Sequence, residues 1–199
     1  DASNKEVRRK ILFPQPNRIR AFAFNPDNNH IAIAIDEYAY LFDRQINKFV
    51  EEIKFEDSIN KILFSHDGQY LLTSDYKKNI NKWDIEKKRL DFCFLHEEEN
   101  VSEMAISHDG KYLASTTSSF KGINIWDLQG NKLLRKLETT SRRIAFSPTA
   151  PILGSAGIAD FSIWDVETGE KLYRCPEKFR VFHFFLMFFP DGNTVVTCD

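Results

Sequence analysis

The feature that most limits what this chain can fold into is a repeat of about 41 residues. Five short turns carry it: Asn25-Pro26-Asp27-Asn28, Ser65-His66-Asp67-Gly68, Ser107-His108-Asp109-Gly110, Ser147-Pro148-Thr149-Ala150 and Phe189-Pro190-Asp191-Gly192. Their first residues step by 40, 42, 40 and 42. A second marker follows each of the first four turns. It is Phe42-Asp43, then Trp83-Asp84, Trp126-Asp127 and Trp164-Asp165, stepping by 41, 43 and 38. Two separate markers holding one period describe a unit used again and again. A unit of that size cannot bury its own apolar face and must stack on its neighbour.

Each unit reads as four antiparallel strands, a to d. In the second copy, strand a is predicted over 59–64 and leads into an Asp-Gly hairpin turn. Strand b, over 69–74, alternates weakly, as a strand buried on both faces does. Strand c ends in the aromatic-Asp pair and covers 80–83, 123–126 and 161–164 in successive copies. A polar connection such as Glu167-Thr168-Gly169-Glu170 then opens strand d, over 132–137 or 171–174. An aromatic content of 14%, with 18 Phe, suits strands. No helical spacing is sustained, so the expected class is all-β.

Three Trp-Asp dipeptides in register with Ser-x-Asp-Gly-like turns resemble the WD-repeat family over about residues 10–199. The resemblance implies a β-propeller of four-stranded antiparallel blades around a channel, used as a platform for partner proteins. It also implies a buried His–Ser–Asp–Trp hydrogen-bond network in each blade, which this sequence departs from. The Gly-His dipeptide before strand a is missing throughout, and only His96 stands in for its histidine. The Asp before strand c is replaced near Lys77, and Phe42 takes the place of Trp in the first copy. The network is therefore expected to be incomplete in every blade.

The units predict a last strand of a preceding blade in 1–18, blades at 19–56, 57–98, 99–140 and 141–178, and two strands of a further blade in 179–199. The two ends offer a strand d (10–13), a strand a (181–188) and a strand b (194–198), but no strand c. A blade with that gap leaves ladder groups unpaired. The expectation is an incomplete ring, a fragment whose remaining blades lie outside this chain; the alternative is a tight five-bladed ring with an imperfect last blade.

Function classes narrow by what the residues do not form. A formal net charge of -2 without a long one-sign block gives no reason to expect nucleic acid. Cys93, Cys175 and Cys198 show neither a disulfide framework nor a metal spacing and read as free thiols of a reducing compartment. A polar start and a longest apolar run of 182–189 predict neither a secretion signal nor membrane insertion. The expected setting is cytoplasmic, with the nucleus as the alternative. His66 and His108 share a turn position in adjacent copies, too far apart to ligate one metal. His183 reads as packing in an aromatic strand. No nucleophile elbow, phosphate loop or zinc motif is present, so no catalytic, metal or cofactor residue is assigned. Asp43, Asp84, Asp127 and Asp165 read as strand-end markers, and Trp83, Trp126 and Trp164 as packing between blades.

In the family's arrangement the d–a and b–c loops emerge on one face. That face is expected to carry Glu56, Asp57, Glu97, Glu98, Glu99, Arg142 and Arg143 from the first set, and Tyr76, Lys77, Lys78, Phe120 and Lys121 from the second. Mixed charge with aromatics suits contact with proteins or peptides better than a substrate pocket. A scaffold without catalysis is the leading reading. A propeller enzyme, or a regulatory module attached to a catalytic domain outside this chain, is the alternative.

Overall fold

The computed structural model describes residues 18–96, 100–157, 160–176 and 185–198. All regular elements among them are strands. The first sheet is β1 (Ile19–Phe24), β2 (His30–Ile35), β3 (Tyr38–Asp43) and β4 (Lys48–Lys54). The second is β5 (Ile59–Phe64), β6 (Tyr70–Asp75), β7 (Asn79–Asp84) and β8 (Arg89–Leu95). The third is β9 (Val101–Ile106), β10 (Tyr112–Thr117), β11 (Lys121–Asp127) and β12 (Lys132–Thr140), and the fourth is β13 (Arg143–Phe146), β14 (Ile152–Ala156), β15 (Asp160–Asp165) and β16 (Lys171–Pro176). A fifth, two-stranded sheet pairs β17 (Phe185–Phe188) with β18 (Val195–Cys198). Within each sheet, strands follow chain order and every pairing is antiparallel.

The sheets stand one after another about an axis, because the first strand of each lies against the first strand of the next: β1 on β5, β5 on β9, β9 on β13 and β13 on β17. This is the radial order of a β-propeller. The predicted strand a of the second copy coincides with β5, while the strand ends of b, c and d extend by a few residues. Lys10 to Phe13, residues 181–184 and His183 lie outside the described residues. The Asp-Gly turn is not a two-residue hairpin. Ser65 N–H bonds Tyr70 O at 2.9 Å and Gly68 N–H bonds Ser65 O at 3.0 Å, with Gly68 left-handed at φ 71°. Asp67 Oδ1, accepting from Ser65 Oγ and from Gln69 N–H at 3.0 Å, holds the wider turn. A Cβ on Gly68 would run into the Asn25 amide of the preceding sheet.

Burial follows the radial order. Second strands are buried on both faces, as Leu71, Leu72, Thr73 and Ser74 are, whereas fourth strands alternate or stay exposed. The apolar clusters form between sheets. Ala34, Leu41 and Phe55 meet Ile62 and Leu71, Leu72 and Phe94 meet Met104 and Trp126, and Ile125 and Leu137 meet Ile144 and Trp164. Trp126 and Trp164 thus pack between sheets, and half-buried Trp83 packs on the first seam. Hydrophobic burial at these seams, about 25 cal/mol per Å² of apolar area, is what holds the units in a row. One position shows the dependence on a preceding sheet. Ile62, Met104, Ile144 and Leu186 are all buried, but the matching Phe22 is 62% exposed.

The seams differ in their polar content. At the second-to-third seam, Trp126 Nε1 donates to Ser115 Oγ at 2.8 Å, and His96 Nε2 lies 2.7 Å from the same oxygen. Asn124 Nδ2 donates to His96 Nδ1 at 3.2 Å, so the neutral ring carries its proton on Nε2 and gives it to Ser115. Burial, with the charge of Lys136, pushes the His96 pKa down to about 4. Three members of the family network are therefore joined here, with Asn124 on His96 where the Asp is missing. In the fourth sheet Trp164 Nε1 donates to Ser155 Oγ at 2.8 Å, but Ser141 takes the place of the histidine and donates to Arg143 O. In the second sheet Phe55 takes that place. It meets Trp83 edge to face at 6.1 Å, and Trp83 Nε1 and Thr73 Oγ1 have no hydrogen-bond partner among the described residues.

Candidate functional site

Backbone hydrogen bonds divide the connections between two faces. On one face the d–a connection is tied to the b–c turn: Phe55 N–H to Glu37 O at 2.8 Å, His96 N–H to Lys78 O at 2.9 Å and Ser141 N–H to Phe120 O at 3.1 Å. On the other face the residue after the aromatic-Asp pair is tied to the a–b turn, as in Ile85 N–H to Gln69 O at 3.0 Å and Leu128 N–H to Lys111 O at 2.9 Å. The residues expected on a shared loop face are therefore brought to one side. Glu97, Glu98 and Glu99 lie outside the described residues.

On this face Glu56, Lys77 and Lys121 are exposed, and Asp57, Lys78, Phe120, Arg142 and Arg143 are half-buried. Tyr76 is 43% exposed, and Arg20 donates to its hydroxyl at 3.2 Å across the first seam. Arg142 lies over the Phe120 ring, 4.2 Å from its centroid. Two of the residues are not in loops: Lys121 begins β11 and Arg143 begins β13. Arg143 turns to the axis, where its Nη1 donates to Glu103 Oε2 at 3.2 Å while Lys61 Nζ donates to Glu103 Oε1 at 3.0 Å. Arg20, Lys61 and Glu103 line an axial groove of about 560 Å³ together with Asn60 and Ala21.

Three polar groups escaped the sequence reading. Asp75, fully buried, accepts from Lys77 N–H at 2.9 Å, Asn79 N–H at 2.9 Å, and the Asn79 and Asn81 amides at 3.0 and 3.3 Å, and so shapes the turn that presents Tyr76 and Lys77. Its position two residues before Lys77 was the available signal. Lys82, also buried, donates to Leu128 O at 2.9 Å, pairs with Asp91 at 3.1 Å and lies over Tyr70 at 4.3 Å. Glu103 and its two cations are the third group. They sit on first strands, where a sequence shows only alternation and not who meets across the axis.

The aromatic-Asp carboxylates shape turns. Asp43 accepts from Gln45 and Ile46 N–H, Asp84 from Lys87 N–H, Asp127 from Gln129 and Gly130 N–H and Asp165 from Thr168 N–H. The Lys87 ammonium, donating to Asp84, holds that carboxyl below the usual range. His66 Nε2 donates to Ser107 O at 2.6 Å in the next turn. Among the described residues no three His, Cys, Asp or Glu side chains gather as a metal site, and no helix is long and apolar enough to cross a membrane. Cys93, Cys175 and Cys198 are free thiols.

Comparison with known proteins agrees with this geometry. A family model described as eukaryotic translation initiation factor eIF2A matches residues 2–140, more than half of the chain. A solved structure of U3-55K superposes with a TM-score of 0.71 at 19% sequence identity, covering 82% of this chain and 53% of its own, so the chain spans about half of that protein. At that identity the likeness speaks for the fold alone, and 1626 solved chains share it closely enough to match, so the fold selects no single activity. No curated protein matches the sequence.

Proposed function

The chain belongs to the eukaryotic translation initiation factor eIF2A family, and from that premise we propose that it is a non-catalytic WD-repeat scaffold holding partner proteins or peptides on the face of its b–c and d–a connections. The observation that carries this reading is the backbone tie between the two sets of connections, seam after seam. It presents variable side chains, among them Tyr76, Lys77, Phe120 and Arg142, on a frame that does not vary. Rigid repeats with variable loops are where recognition sits. The expected setting is the cytoplasm. Further blades outside this chain would cover Phe22 and Phe24, whose counterparts in the following sheets pack against the sheet before.

Charge reversal of Lys77, Lys78 and Arg142 together, in the intact propeller, is the test. Capture of partner proteins is expected to fall while the melting temperature stays within a few degrees. Unchanged capture would move the binding face elsewhere. Turnover in a broad hydrolase screen on the purified protein would reject the non-catalytic part of the proposal.

A further inference from the structure

We draw no further inference here: the strongest candidate, the cavity of about 490 Å³ between the second and third sheets around buried Lys82, names no ligand, because the Lys82 ammonium is already taken up by Asp91, the Leu128 carbonyl and the Asn131 side chain.

Discussion

The second and third sheets meet their predecessors through the same position and reach opposite solutions. At the third, His96 follows β8 and joins Ser115 and Trp126 into a closed set of hydrogen bonds. At the second, Phe55 follows β4 in the same place, and Trp83 Nε1 and Thr73 Oγ1 have no hydrogen-bond partner among the described residues. Ring geometry hardly changes: both pairs meet edge to face at 62°, at 5.3 Å for His96–Trp126 and 6.1 Å for Phe55–Trp83. What changes is polar satisfaction. In the first sheet the series ends in an all-apolar version, with Phe42 for Trp and Ile33 in the place of Ser115. Seam shape is thus carried by apolar packing, and the hydrogen-bond network is an addition that one joint has and another lacks.

The largest effect that would sharpen this contrast is Ser115→Ala. It removes the acceptor of two buried donors, each costing about 1–3 kcal/mol when orphaned, so a loss of about 4 kcal/mol is expected in urea unfolding. A loss under about 1 kcal/mol would show that the network contributes little and would erase the contrast.

Acid gives the next effect. The folded His96 pKa lies near 4 against an ordinary 6.5, so the unfolded chain takes up a proton first as pH falls. This contribution is complete above 6.5, declines between 6.5 and about 4, and is flat below, with a total of about 3 kcal/mol. Comparing urea midpoints at pH 4.5 and 7 in the wild type and in His96→Phe checks it. The variant, which copies the second seam, is expected to lose most of that slope. The smallest effect is Thr73→Val, which swaps an unpartnered hydroxyl for a methyl. It should lie within about 0.5 kcal/mol of neutral, or slightly stabilise. A clear loss would mean that Thr73 holds a partner, and that the second seam resembles the third.

The period, the strand order and the interblade place of the tryptophans were legible because each is local: Trp83, Trp126 and Trp164 recur at one register position. The gathering of Tyr76, Lys77, Phe120 and Arg142 on one face was legible through the resemblance, not through the residues alone. Three features were not. The left-handed Phe120, at φ 60°, carries no Gly or Asn to announce it. Lys82 reads as an exposed strand residue until Tyr70, Asp91 and the Leu128 carbonyl close around it from other strands and from the next sheet. Arg143 looks like a loop cation, and only the placing of β9 beside β13 gives it Glu103. The Lys82–Leu128 and Arg143–Glu103 pairings join residues about 40 or more apart, which a period predicts in outline but not atom by atom.

On the face away from the candidate site, three of the four pairs of neighbouring a–b turns are clasped: Asn25 Nδ2 donates to Gly68 O at 3.3 Å, His66 Nε2 to Ser107 O at 2.6 Å and Ser147 Oγ to Gly192 O at 3.3 Å, while His108 Nδ1 of the third turn has no partner among the described residues. Clasps that each join one turn only to the next confine damage to two neighbours, and the third turn already does without one. Drift at one clasp, such as Asn, His and Ser serving in turn, leaves the rest undisturbed. That tolerance gives the opposite face a footing that depends on no single clasp.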